Sequence, residues 1–286
     1  MTIHNAVMLT KALDVLKNAA IIGIQTNMSD ADYFAHSAIN CSGLKLIAQK
    51  TPLHFKYQQT APRVETKALI LGSAIHCATL EPTEYRERYI VAPQIDKRTK
   101  EGKAAFSELE ASGKIVLSHD DDELIYSVSQ AVRNHKTASR LLTNGNAEVA
   151  VFGDIDGLKV KCKCDYLREN VAIIDLKTTE DASQKGFMKS VLNYGYHQQA
   201  AFYMDVMKSI GSPIEAFVFV VVEKSAPYAV GIYELDNAYI EMGRVLNQRA
   251  MDTYRECLET GNWYGYSNDI ELLSPPSWAI KQAEYI

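Results

Sequence analysis

Two aspartates and a lysine in the stretch Asp165-Tyr-Leu-Arg-Glu-Asn-Val-Ala-Ile-Ile-Asp175-Leu176-Lys177 have the types and spacing for phosphodiester chemistry. Carboxylates held close together repel unless something positive lies between them. A carboxylate-dominated ligand set favours Mg²⁺, or Mn²⁺ in its place, over zinc. Such an ion polarises a phosphoryl oxygen and lowers the pKa of a bound water. Lys177, with an ordinary pKa of about 10.4, would then be a cation that orients the attacking water or stabilises the pentacovalent charge. The same Asp-x-Lys is also what a structural ion pair on a surface hairpin looks like, and its spacing alone leaves both readings open.

Further side chains join this set. Gly72 and His76 fall one helical turn apart in Ala-Leu-Ile-Leu-Gly-Ser-Ala-Ile-His-Cys-Ala-Thr-Leu. The glycine permits close backbone approach, and the histidine suits a metal or a phosphate. Gln199 and Tyr203, at i and i+4, put an amide and a phenol on one helical face, and both could hold a phosphate or the scissile strand. Glu148 opens the strand Glu-Val-Ala-Val-Phe and would add a third carboxylate. Each also has a plain structural reading: a satisfied core histidine, a half-buried tyrosine.

The hydrophobic pattern places these residues. Residues 158 to 167 alternate apolar and polar, as a half-buried strand does, and 171 to 176 are a short apolar run after the turn-like Arg168-Glu169-Asn170. A hairpin follows, with Asp175 and Lys177 on one face. An odd loop centred near Glu169 or Asn170 brings Asp165 to that face, roughly 5 to 8 Å from Asp175. Strands are expected near 148 to 153, 158 to 167, 171 to 177, 216 to 223 and 228 to 234. Helices are expected at 5 to 17, from a cap at Ser42 through Gln49, and at 65 to 80, 102 to 112, 121 to 143, 183 to 191, 195 to 209 and 236 to 259. Met28 to Phe34 reads as a linker and Leu272 to Trp278 as ordered coil. That order predicts an α/β fold, a mixed central sheet flanked by helices, with an N-terminal segment at 1–34 and one large domain at 35–286.

Composition fits a soluble cytoplasmic enzyme. The 286 residues are 47% hydrophobic, yet no run of 18 apolar residues marks a membrane span. Five cysteines, an odd number, argue against a disulfide framework. A net charge of −5 does not exclude nucleic acid, because affinity follows where cations cluster. The segment Asp96 to Lys103, with Lys97, Arg98, Lys100 and Lys103, reads either as a basic loop facing duplex DNA or as a solvated charge run. The chain has no Gly-x-x-x-x-Gly-Lys-Ser/Thr phosphate loop, consistent with chemistry that needs no ATP.

In this order, Gly-x-x-x-His, Glu, Asp, Asp-x-Lys and Gln-x-x-x-Tyr resemble the PD-(D/E)xK nuclease superfamily, its RecB-like branch and the RecE (exonuclease VIII) family in particular. The resemblance runs from about Ser37 to about Leu258. It implies a PD-(D/E)xK core in which His76, Asp165, Asp175 and the main-chain carbonyl of Leu176 hold Mg²⁺ and Lys177 is the catalytic lysine. Gln199 and Tyr203 would lie near the substrate and Glu148 would assist. Lys163 and Cys164 stand before Asp165 where relatives often carry an arginine and a small residue or proline, so a phosphate contact there would fall to Lys163. The resemblance further implies 5′ to 3′ digestion of linear double-stranded DNA to 5′-mononucleotides and a 3′ single-stranded tail. It also implies a ring-shaped tetramer and a single-strand annealing protein as partner. A structure-specific or restriction-type endonuclease, or a DNA-end-binding protein without catalysis, are the alternatives.

Overall fold

The computed structural model describes residues 21–62, 64–96 and 98–283; the helix expected at 5 to 17 and Lys97 lie outside them. Its centre is a six-stranded sheet in the order β1-β4-β5-β6-β7-β8, with β1 at Gly23–Gln25, β4 at Asn146–Ile155, β5 at Leu158–Arg168, β6 at Ala172–Thr179, β7 at Ala216–Glu223 and β8 at Val230–Glu234. β6 and β7 are parallel and the other neighbours antiparallel, so the sheet is mixed and the α/β expectation holds. A parallel pair needs a long crossover, which the helices Gln184–Tyr194 and Tyr196–Ser209 supply. A second, two-stranded sheet pairs β2 (Tyr89–Val91) with β3 (Ile115–Leu117).

Both faces of the large sheet are buried. Along β7, Phe217, Phe219 and Val221 enter one core with Ala200, Ala201 and Phe202 of the 196–209 helix. Val220 and Val222 enter the other, with Ala74 and Ile75 of the Lys67–Leu80 helix and Ile125 and Val128 of the His119–Asn134 helix. The unbroken apolar run of β7 is what a strand covered on both faces requires.

The β5–β6 hairpin has the expected odd loop. Tyr166 pairs with Ile174, Leu167 with Ile173 and Arg168 with Ala172. Glu169, Asn170 and Val171 remain between the strands, with Asn170 at φ +56°, a conformation asparagine tolerates well. This register sets Asp165 opposite Asp175.

Several local expectations are corrected. Met28 to Phe34 is no linker: the helix Asp30–Ala35 starts there, its Ser29 side chain accepting from the Asp32 amide. The Cys41–Gln49 helix is capped by Asn40, which accepts from the Gly43 amide at 2.9 Å, and not by Ser42. The helix expected at 121 to 143 breaks at His135, whose extended backbone (ψ 119°) ends one helix while its Nδ1 caps Lys136–Leu141. The Pro52–Gln58 and Pro82–Arg88 helices, each with proline at its start, carry a start signal. Coil extends through Pro276, and a helix follows at Ser277–Ala283. Among the described residues, no helix is long and apolar enough to cross a membrane.

Candidate active site

Three carboxylates lie abreast on β4, β5 and β6. The pairs Ala147–Tyr166 and Val149–Cys164 bracket Glu148 and Asp165, which therefore face each other across β4 and β5. Asp165 in turn faces Asp175. Glu148 sits at φ +52°, a left-handed conformation that costs a residue with a Cβ of order 1 kcal/mol. The kink interrupts side-chain alternation. Ala147 and Tyr166 pack into the core beneath the Lys67–Leu80 helix, whereas Val149 and Cys164 pack into the opposite one. At the same level the β5–β6 ladder stops at Tyr166–Ile174. The Leu176 amide donates instead to Asp165 Oδ2 at 2.9 Å, so an aspartate fills the gap left where the strands part.

His76 reaches this gap from the Lys67–Leu80 helix, its Nδ1 3.3 Å from Asp165 Oδ2. One ligand atom each of His76, Glu148 and Asp165 lies within 4.8 Å of the others. Nitrogen and oxygen donors at that separation suit an oxygen-preferring divalent ion with bonds of roughly 2.0 to 2.6 Å. The donors that the structure groups are not all of those expected as ligands. Glu148 joins His76 and Asp165, while Asp175 turns toward Lys177 and Gln199. Among the described residues, no other segment closes on Gly72, and the space a Cβ would take there is open.

Asp175 is fully buried. Its Oδ2 accepts from Gln199 Nε2 at 2.5 Å, and its Oδ1 lies against Lys177 Nζ without an aligned hydrogen bond. Lys177 also stands 4.9 Å over the Tyr196 ring. Burial works against its charge, but the Asp175 and Asp165 carboxylates prevail and raise its pKa. Burial, then the charge of Asp175, push Asp165 up to about 6, against the pull of His76 and Lys177.

Other expected residues are placed differently. Lys163 spans Glu148 Oε2 (2.8 Å) and Asp30 Oδ1 (2.5 Å); burial opposes its charge, and these carboxylates raise its pKa all the same. It positions Glu148 rather than standing free for a phosphate. Tyr203 packs edge-on against Phe217, ring centres 5.9 Å apart, and joins no hydrogen bond of the row among the described residues. Arg98 is held by Asp96 of its own loop at 2.9 Å. Lys100 and Lys103 stand exposed on the Lys100–Ala111 helix. None of these three bonds to the row. Two neighbours carried no sequence signal: Tyr196 under Lys177, and Lys45, whose Nζ donates to the Tyr194 carbonyl at 2.9 Å.

Residues 40–276 match the model of a family described as a PDDEXK-like domain of unknown function, DUF3799. The chain belongs to this family. The DUF3799 assignment agrees with the PD-(D/E)xK resemblance read from the motifs and leaves the narrower RecE likeness as a resemblance. The fold is similar to that of a crystallised candidate exonuclease from Eubacterium rectale, with a TM-score of 0.61 and 15% identity over 91% of this chain and 99% of that one. No curated protein matches the chain.

Proposed function

We propose that this DUF3799 protein is a divalent-metal-dependent exodeoxyribonuclease that digests linear double-stranded DNA from its 5′ ends without ATP. The observation that carries the reading is the row Glu148–Asp165–Asp175, flanked by His76 on one side and by Lys177 and Gln199 on the other. A core of paired carboxylates with one held lysine suits in-line hydrolysis of a phosphodiester. The superfamily resemblance and a fold neighbour described as a candidate exonuclease favour that chemistry.

His76, Glu148 and Asp165 would hold the ion, Mg²⁺ or Mn²⁺. Once bound, it supplies Lewis-acid polarisation of the phosphoryl oxygen and a lowered pKa for a coordinated water. The chain's own residues do the rest. Gln199 and Lys177 fix the Asp175 carboxylate, and Leu176 fixes Asp165 through its amide. Lys177, kept cationic, orients the attacking water and offsets negative charge growing on the phosphoryl oxygens. Lys163 keeps Glu148 aimed at the row.

The 5′ to 3′ direction, the mononucleotide product, the oligomeric ring, the cytoplasmic setting and an annealing protein that loads on the 3′ tail are parts of the same proposal, supported by resemblance. The test is digestion of linear duplex beside covalently closed plasmid in Mg²⁺. Loss of the linear species alone is expected. Cleavage of the closed circle would replace this reading with that of an endonuclease.

A further inference from the structure

A pocket of about 350 Å³ opens directly beside Lys177. It is formed where the end of β6 meets the Gln184–Tyr194 helix, and Thr178, Phe187, Lys189, Tyr194 and Tyr196 share its wall with Lys177. This volume is at the small end for ligand sites, roughly 300 to 1,000 Å³, and gives room for one nucleotide.

The wall has the chemistry for one. Tyr194 is 60% exposed, a large ring facing solvent, yet its backbone is held. Its carbonyl accepts from Lys45, and the next residue, Gly195, closes the helix at φ +63°. A Cβ at that glycine would meet Gln198 and Lys45 at 2.9 Å, so the turn that presents Tyr194 is specified. Its ring lies 5.6 Å from that of Tyr196 at 34°, and Tyr196 carries Lys177 on its face. The aromatic wall therefore runs without a break to the row of carboxylates. Two lysines of the pocket are committed, Lys177 to Asp175 and Lys224 to Glu180. Lys189 makes no ion pair within bonding distance among the described residues; its charge acts on the nearby Asp181 carboxylate, and it stands at the wall as the least committed cation. Glu180 and Asp181 are its acidic members; Glu180 is taken by Lys224, and Asp181 accepts from the Ser183 amide at 2.9 Å.

We infer that this pocket seats the nucleotide adjoining the scissile phosphate, its base stacked on Tyr194 and its other phosphate drawn to Lys189. The inference rests on the nuclease reading and names the part of the substrate that the site grips. Stacking is tolerant of sequence because every base has a π-face, so the pocket selects a nucleotide and not a particular base. A seat for one nucleotide beside the cleavage point would favour release of single nucleotides, as the proposed function requires.

The test compares wild type with Tyr194→Ala, Tyr194→Phe and Lys189→Gln on linear duplex in Mg²⁺, with deoxythymidine monophosphate as competing ligand. Tyr194→Ala is expected to raise KM and weaken inhibition by the monophosphate roughly 5- to 150-fold, the range of one base–aromatic stack. Tyr194→Phe, which keeps the ring, should stay near wild type, and Lys189→Gln should weaken inhibition about tenfold. Equal inhibition of wild type and Tyr194→Ala would overturn the pocket while leaving the nuclease reading in place. If wild type cuts no DNA, the nuclease reading fails. Binding of the monophosphate measured by NMR, wild type against Tyr194→Ala, then decides the pocket on its own: weaker binding by the variant supports it, and equal or absent binding overturns it.

Discussion

Replacing Asp165 by asparagine should make the metal-free protein more stable while removing its response to Mg²⁺. Asp165 has 18% of its side chain exposed, and its pKa rises from 3.8 to about 6. A carboxylate with a raised folded pKa binds its proton more tightly in the native state, so stability falls as pH climbs through the window from 3.8 to 6. About two units at 1.36 kcal/mol each give a penalty of about 3 kcal/mol at pH 8 and about half that at pH 5. Asparagine carries no charge and keeps an oxygen for the Leu176 amide, so most of the penalty disappears. Urea unfolding in EDTA should show Asp165→Asn more stable than wild type by up to about 3 kcal/mol at pH 8, with a smaller gap at pH 5. With Mg²⁺ at a hundred times its Kd, wild type should gain about 2.7 kcal/mol and the variant nothing. A variant less stable than wild type at pH 8, or one still stabilised by Mg²⁺, would refute a carboxylate cluster waiting for a cation.

Other expectations follow from the same geometry. Glu148→Gln should lose Mg²⁺-dependent stabilisation as completely as Asp165→Asn, measured by calorimetric titration, whereas Asp175→Asn should retain part of it. Lys177→Ala leaves the buried Asp175 charge without its cation, so it should cost roughly 3 to 5 kcal/mol in urea unfolding and also abolish cleavage. Mg²⁺ affinity should fall as pH drops below about 6, because the ion must displace the proton that Asp165 then carries, and titration in two buffers should show that proton released. Tyr203→Phe should keep kcat within about fivefold of wild type, since a single neutral hydrogen bond is worth only about 1 kcal/mol and the hydroxyl makes none to the row.

Much of the sheet was legible because its strands obey a simple period. The alternation of 158 to 167 and the apolar runs of β6 and β7 located the core strands, and the turn composition around Glu169 and Asn170 pointed to an odd loop without fixing its centre; the centre at Asn170, with Arg168 inside the strand, is what sets Asp165 against Asp175. What escaped were elements too short to show a period, such as β2 and β3 and the proline-started helices at 52 and 82, each of 7 residues. At the site, residue types pointed to the cluster but not to its grouping. Whether Glu148 or Asp175 joins His76 depends on a left-handed kink at Glu148 and on where the β5–β6 ladder ends, and neither leaves a periodic trace. The role of Lys163 depended likewise on Asp30, 133 residues away in sequence. Tyr196 and Lys45 are common residues in ordinary helical segments, and only the fold brings them beside Lys177.

The most direct measurement is the time course of a linear duplex labelled at one 5′ end and incubated with wild-type protein in Mg²⁺. Labelled mononucleotide should appear first, with no labelled oligonucleotide before it and no release in EDTA or with Asp165→Asn. A label that stays on the duplex, or that leaves first on an oligonucleotide, would contradict a metal-dependent nuclease acting from 5′ ends.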